Sequence, residues 1–168
     1  EGEDVYRVTF PRMDVKVSIE GRAMHPFLGL TSWAAFTPHS GDKLMVMGDL
    51  VLFEDEVNPV MSVALENGLE VTALHNHFLY ESPRVMFMHI GGSGSAKSLA
   101  STVRKAIDKV KEIRSANPQP ASRFAGAAIP DTSSIPAEAI DKILGVKGQV
   151  NAGMYKALIG RKAPIHGK

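Results

Sequence analysis

The sequence contains no cysteine, which excludes disulfide bonds, thiolate nucleophiles and cysteine-based metal sites. It also has no apolar run of about 18 residues, so no transmembrane segment is predicted. Lysine and arginine total 19 against 18 acidic residues, and they form no basic run. With a formal net charge of +1, the chain has no electrostatic footprint for nucleic acid, and we expect no nucleic-acid partner.

The remaining composition is typical of a globular domain. The chain has 168 residues, of which 44% are hydrophobic and 22% are charged. A chain of this length and composition can bury one hydrophobic core. We therefore predict a single domain over residues 1–150.

Alternating polar and apolar residues predict several strands, and apolar stripes with end signals predict helices. The predicted strands are residues 5–10, 14–20, 32–37, 43–53, 69–78 and 84–90, and the predicted helices are 54–68, 96–114 and 136–144. This order indicates an α+β fold with a mostly antiparallel sheet and the two main helices packed on one face. The hairpin made by the last two strands is expected at the centre of the sheet.

Three histidines fall in that hairpin. Side chains alternate across a strand, so His75 and His77 share one face. A turn centred near Ser82 would set His75 opposite His89 and His77 opposite Phe87, with opposed Cβ atoms roughly 4.5–5.5 Å apart. The three imidazoles are thereby predicted to converge within reach of one small ion.

Three converging imidazoles favour a divalent transition metal, with zinc preferred over copper, iron or manganese. A catalytic zinc ion typically has three protein ligands and one position for water. We therefore predict that His75, His77 and His89 bind the metal. A metal-free acid–base or polar binding site is one alternative, and ordinary polar side chains on a solvated sheet face are another.

A carboxylate is expected beside the histidines as a fourth ligand, a supporting partner or a general base. Glu81, in the turn, has the same parity as the first two histidines, and Glu56 lies in the acidic start of the first predicted helix. These two are the preferred candidates. Asp49, Glu54 and Asp55 are the others.

Three features outside the cluster are predicted to be structural. The methionines at alternate positions of two strands, 45, 47, 86 and 88, are expected to pack in the core. Residues 91–95 (GGSGS) lack the spacing of a P-loop, and we expect a turn between strand and helix. Arg84 is expected to pair with a carboxylate at the sheet edge.

The tail resembles the first strand. Residues 154–161 (MYKALIGR) match residues 5–12 (VYRVTFPR) in character, which predicts that 151–168 begins a second, truncated copy of the unit. A lone strand leaves backbone groups unpaired, so we expect 154–161 to join an open sheet edge. If that edge belongs to a second chain, the result is a strand-exchanged homodimer.

Four stretches closely resemble the LppY/LpqO-like family of bacterial proteins. They are SWAAFT at 32–37, MVMGDLVLFEDEVNPVM at 45–61, GLEVTALHNHFLYESPRVMFMHIGG at 68–92 and ILGVKGQ at 143–149. The family motif falls on His75, Asn76, His77, Glu81, Pro83, Arg84 and His89. The resemblance implies an exported protein, periplasmic or in the cell envelope, and often two copies of the unit, but it implies no reaction.

Together these features predict an exported metal-binding protein with a histidine-rich site on a sheet face. If it is an enzyme, metal-activated water attacking a polar substrate is the expected chemistry. The alternative is a non-catalytic envelope module that binds a saccharide, a lipid or a protein through the same face. A cleft at the site would favour the enzyme, and a flat face with exposed aromatic side chains would favour the module.

Overall fold

The structure, a computed structural model, describes residues 4–121, 132, 134–160 and 162. In chain order the strands are β1 (Tyr6–Pro11), β2 (Ser18–Ile19), β3 (Arg22–Ala23), β4 (Thr31–Pro38), β5 (Leu44–Phe53), β6 (Glu70–Asn76), β7 (Glu81–Ser82), β8 (Val85–Gly94), β9 (Gln149–Asn151) and β10 (Met154–Lys156). The α-helices are α1 (Glu54–Glu66), α2 (Ala96–Ala116) and α3 (Ala137–Leu144). The fold is α+β, as the sequence predicts.

The main sheet is antiparallel and has five strands in the order β1-β4-β5-β8-β6. Helix α1 carries the chain from β5 across to β6, and β8 then returns between these two strands. The prediction that the β6–β8 hairpin lies at the centre is therefore wrong, because β5 is central and β6 is an edge strand. The histidines consequently lie near one border of the sheet.

Helices α1 and α2 pack on one face of this sheet, as predicted. The main hydrophobic core lies between the helices and the sheet. Its sheet residues are Ala34, Val46, Leu50, Leu52, Met88 and Ile90, and its helix residues are Val57, Val60, Ala64, Leu99, Val103, Ala106, Ile107 and Val110. The apolar stripe of α2 supplies most of the helical contribution, and burial of such side chains is the main stabilising term of the fold. None of the described helices is long and apolar enough to cross a membrane.

The other face is covered only in part. The segment between β1 and β4 folds over it and forms a second core with Val15, Val17, Leu30, Val51, Phe53, Val85 and Phe87. The covering segment extends as far as Val51 and Phe87, which are cross-strand partners in β5 and β8. The next pair, Asp49 and His89, lies just beyond this second core, and the His89 side chain is 44% exposed.

Two local predictions fail for reasons of packing. The expected strand at 14–20 shortens to β2, because Val15 and Val17 are used to cover the second face, and β1 pairs with β4 instead. Residues 91–94 continue β8 and pair with β5 instead of forming a turn. Glycine suits this stretch because a Cβ at Gly92 would lie 3.1 Å from Leu69 Cδ2.

The chain divides into two compact units, residues 1–124 and 125–168. In the second unit, β9 and β10 form a hairpin, and Asp141 of α3 accepts hydrogen bonds from Gly148 N–H and the Tyr155 hydroxyl, both at 2.7 Å. Of the predicted strand 154–161, only residues 154–156 form a strand, residues 157–160 do not, and residue 161 lies outside the described residues. The partner of β10 is β9 of the same chain and not an edge of the main sheet. The second-copy interpretation stays a prediction.

Candidate metal centre

Two neighbouring rows of the sheet position the site. One row contains Asp49, His89 and Ala73, and the next contains Val51, Phe87 and His75. Paired residues point to the same face of a sheet. Asp49, His75 and His89 therefore share the face opposite the two helices, as the sequence parity predicts for the two histidines.

The register differs from the predicted one by two residues. His75 pairs with Phe87, and His89 pairs with Ala73. The predicted tight turn does not form, because residues 81–82 leave the hairpin to make β7, which pairs with β2. A shift by an even number of residues keeps every side chain on its own face, so the cluster survives the error.

His75 and His89 are in direct contact. Their Nε2 atoms lie 3.0 Å apart, and the rings meet edge to face with centroids 5.0 Å apart. The His75 Nδ1 lies 2.9 Å from the carbonyl oxygen of Asn76. A carbonyl only accepts, so Nδ1 carries a proton, and in the tautomer that this contact selects the lone pair is at Nε2. This is the arrangement in which histidine typically binds a metal.

Asp49 faces this pair from the adjacent strand. Its Oδ1 lies 3.8 Å from His89 Nε2, is buried, and has no hydrogen-bond partner in the described part of the chain. A buried polar atom without a partner is destabilising, and more so when it is charged. The carboxylate therefore needs a donor or a cation on the side where the histidines lie.

His77 belongs to the cluster but not to its nitrogen contacts. It follows the end of β6, and its ring packs on Phe87 and Phe78 with centroids 4.4 and 4.8 Å away. Its centroid lies 6.4 Å from that of His75. The three histidines thus lie together as predicted, although the His77 ring packs on the two phenylalanine rings and makes no nitrogen contact with His75 or His89.

As the side chains stand, no group of three histidine, aspartate or glutamate residues among those described is arranged to hold a metal ion. The two Nε2 atoms lie 3.0 Å apart, and two nitrogens bound to one tetrahedral zinc ion at about 2.1 Å lie about 3.4 Å apart, so a further separation of about 0.4 Å would fit them to zinc. The Asp49 Oδ1 lies 3.8 Å from His89 Nε2, and a closure of about 0.5 Å between them would bring the carboxylate into the same coordination sphere.

The two preferred glutamates have other contacts. Glu81 is half-buried in β7 and accepts a 3.4 Å hydrogen bond from Val85 N–H. Glu56 is fully buried, and its oxygens contact Arg12, Arg114 and the Phe53 N–H at 2.7–2.9 Å. Asp49, another of the carboxylates considered from the sequence, lies within 3.8 Å of His89 Nε2.

The ion cluster around Glu56 was missed by sequence reasoning. Arg12 binds Glu56 in bidentate fashion and also donates to the Val51 carbonyl and to Asp14. Burial alone would raise the pKa of Asp14, but the hydrogen bonds and charge of Arg12 outweigh it and hold that pKa below its ordinary value. The available signal was Glu56 at the third position of α1, which is typical of a capping residue.

Arg12 and Arg114 therefore have the structural role that we expected of Arg84. Arg84 is exposed and makes no hydrogen bond or ion pair to any residue that the structure describes, so the expectation of a carboxylate partner is wrong. The methionine prediction is right for Met88, which is buried between sheet and helices. It is wrong for Met47, which is 56% exposed on the open face.

One family model matches this chain. It covers residues 1–109 and is described as Domain of Unknown Function (DUF1259). No curated protein and no solved structure matches the chain. The matched range includes the whole five-stranded sheet, helix α1 and all residues of the candidate metal centre. The chain belongs to the family of the Domain of Unknown Function (DUF1259).

Proposed function

We propose that this protein binds a divalent transition metal, with zinc preferred, through His75, His89 and Asp49. The observation that carries this proposal is the contact of two imidazole Nε2 atoms at 3.0 Å, faced by a buried carboxylate oxygen that lacks a partner. A cation between the three atoms would give Asp49 Oδ1 its missing partner. It would also use the lone pair that the Asn76 carbonyl leaves at His75 Nε2.

Two nitrogens and one carboxylate oxygen form a common donor set for zinc, and they also suit iron and manganese. Three protein ligands leave at least one coordination position for water, and the site lies on a partly exposed face. A metal ion in such a site lowers the pKa of bound water and supplies a nucleophile near neutral pH. The activity we propose is therefore metal-dependent hydrolysis of a polar substrate.

His77 has two potential roles in this proposal. A change of side-chain rotamer away from Phe87 would add it as a fourth ligand. In its present position, with its ring centroid 6.4 Å from that of His75, it would accept or donate a proton near the bound metal during hydrolysis. The two roles differ in outcome, because replacement of a ligand weakens metal binding whereas replacement of a proton-transfer group lowers the rate.

The direct test is the metal content of protein purified without an affinity tag, followed by zinc titration of the metal-free protein. We expect about one equivalent of bound zinc at saturation. The variant His39→Ala, with the change in an exposed turn, is the matched control and should bind zinc normally. Less than about 0.1 equivalent of any transition metal, with no uptake on titration, would overturn the proposal.

A second candidate function is a non-catalytic module that binds a saccharide, a lipid or a protein. It is favoured by large apolar side chains that are exposed near His77, among them Phe27, Leu79 and Tyr80 at 90, 74 and 75%. The two loops that bear them meet where a Cβ on Gly29 would lie 3.1 Å from the Phe78 ring. Ligand binding that is unchanged by removal of the metal would support this candidate over hydrolysis.

The expected location, in the periplasm or cell envelope, is part of the same proposal and depends on the resemblance to the LppY/LpqO-like family. Strand exchange between two copies is likewise a proposal and depends on the similarity of residues 154–161 to residues 5–12. Fractionation of the native cells would test the location. Sedimentation of the purified chain would test the dimer.

A further inference from the structure

A cavity lies on the helix-bearing face of the sheet, opposite the face that bears the histidines. Helix α2 packs mainly against α1 and also contacts β5 and β8, and the cavity, of about 460 Å³, lies between α2, β5 and the neighbouring strands β4 and β1. Cavities of roughly 300–1,000 Å³ with mainly apolar walls are the usual form of a small-molecule site. This cavity is lined by residues of the first unit.

The walls of the cavity are mostly apolar. Phe10, Leu50 and Leu52 line it from the sheet, and Ile107 and Val110 line it from α2. Four of these five side chains belong to the buried core cluster, and Phe10 packs against it. The occupant that matches such walls is mainly hydrocarbon, because apolar surface removed from water is the main source of affinity in a preformed pocket.

Two polar side chains of the wall, Ser32 and Arg114, each have a donor without an acceptor among the described residues. Ser32 is 2% exposed, and its Oγ accepts a 2.8 Å hydrogen bond from Val51 N–H. Its own hydroxyl hydrogen has no acceptor among the residues that the structure describes. Arg114, which also lines the cavity, has an Nη1 with no hydrogen-bond partner in the same part of the chain. A ligand oxygen would supply the hydrogen-bond acceptor that these donors lack.

The charges near the cavity are already balanced. The guanidinium groups of Arg12 and Arg114 are paired with Glu56, Asp14 and Asp55. The remaining cation of the wall, Lys111, is exposed and lies 3.7 Å from Asp108. A carboxylate or phosphate beside Ser32 would therefore have no unpaired buried cation, and its burial would cost desolvation energy. An uncharged acceptor, such as a carbonyl oxygen, avoids that cost and still accepts a hydrogen bond.

We propose that this cavity binds an uncharged, mainly apolar molecule that carries a carbonyl oxygen, such as an ester or a ketone. The hydrocarbon part lies between α2 and the sheet, and the carbonyl accepts a hydrogen bond from the Ser32 hydroxyl. The site shares no residue with the proposed metal centre. Its binding is therefore expected to be the same in metal-free and zinc-loaded protein.

The test is a titration of the full chain with methyl octanoate below its aggregation concentration, followed by NMR of labelled methyl groups. We expect saturable shifts of the methyl signals of Leu50, Leu52, Ile107 and Val110. Methyl groups of the second core, such as those of Val17 and Leu30, serve as internal controls and should not shift. Absence of saturable shifts, or shifts spread over exposed loops, would overturn the proposal.

The chemistry of the head group is tested with a matched series. Octanoate and octane have the same chain but a charged head or none, and we expect each to bind at least about fivefold more weakly than the ester. Ser32→Ala should weaken ester binding by about the same factor without changing octane binding. Octanoate binding as tightly as the ester would refute the uncharged class.

A cavity-filling variant completes the test. Val110→Phe should reduce ester affinity at least about tenfold, because the added ring occupies the site. Ile113→Phe, on the same helix but outside the cavity wall, is the control and should bind normally. If Val110→Phe does not fold, the methyl map and Ser32→Ala still decide the question. Normal binding by a folded Val110→Phe would contradict the proposal.

Discussion

His75 and His89 are not paired in the sheet, yet their Nε2 atoms lie 3.0 Å apart. They are diagonal neighbours across β6 and β8. The Cβ atoms of diagonal neighbours lie farther apart than those of directly opposed residues, and the imidazole rings are long enough to bridge this distance. The irregularity of β6 between Val71 and Ala73 contributes, because it returns Val71 to the helix-bearing face and leaves Ala73 and His75 on the open one. The contact is thus a product of register and bulge together.

The first prediction concerns the two contacting histidines. His75→Ala and His89→Ala should each lower zinc affinity by about 100-fold or more, because each removes a proposed ligand. The His75 side chain is exposed and that of His89 is 44% exposed, so the free energy of unfolding of the metal-free protein should change little. Competition with a zinc-binding dye gives the affinity. Equal affinity in these variants and in His39→Ala would contradict the assignment.

The second prediction separates metal binding from stability at Asp49. Asp49→Asn removes the charge of a carboxylate whose buried Oδ1 has no hydrogen-bond partner among the described residues, so the metal-free protein should be as stable as the parent or more stable by about 1 kcal/mol. Zinc affinity should fall by about 10-fold to 100-fold, because an amide is a weaker ligand than a carboxylate. Urea unfolding and zinc competition measure the two effects. A clear loss of stability in the metal-free state would mean that Asp49 has a structural partner instead.

The third prediction concerns Glu56, which the structure places in an ion cluster. Glu56→Gln leaves the guanidinium groups of Arg12 and Arg114 without their shared carboxylate, and we expect a loss of about 3–5 kcal/mol in the free energy of unfolding. Glu54→Gln, in the same helical turn, should cost at most about 1 kcal/mol. Zinc affinity of the folded fraction should be unchanged. A selective loss of zinc binding would restore Glu56 as a ligand.

The fourth prediction tests the close approach of strands beside the metal centre. A Cβ on Gly48 would lie 2.7 Å from the carbonyl oxygen of Trp33, so Gly48→Ala must push β4 and β5 apart. We expect a loss of about 1–3 kcal/mol in stability. Gly91→Ala is the control in the adjacent strand, because its Cβ would lie 3.6 Å from Thr72, an ordinary contact. Equal unfolding midpoints for both variants would refute this explanation.

The fifth prediction concerns pH and the second unit. The hydrogen bond from Tyr155, together with that from Gly148 N–H, lowers the pKa of Asp141 below its ordinary value. A depressed carboxyl pKa stabilises the unit above about pH 4 and ceases to do so as the pH falls through the lower folded-state value. The amide signal of Gly148 should therefore move only in that acid range. Tyr155→Phe should shift the transition to higher pH, and an unchanged transition would contradict the assignment.

The sequence by itself determined the α+β class, the approximate position of most long elements and the face on which the histidines lie. These properties follow from local patterns: the period of apolar residues, the end signals of helices and the parity of side chains along a strand. Parity also protected the site prediction, because an error of two residues in register left His75 and His89 on the same face.

Only the tertiary structure decided which side chains meet there. Asp49 could not be chosen over Glu56 and Glu81 from the sequence, because all three are carboxylates at plausible positions and strand order is a long-range property. The insertion of β8 between β5 and β6 brings Asp49 beside His89, and the folding of Arg12 and Arg114 onto α1 draws Glu56 away. Local patterns specify faces and periods, whereas contacts between distant segments depend on how the whole chain buries its apolar surface and pairs its charges.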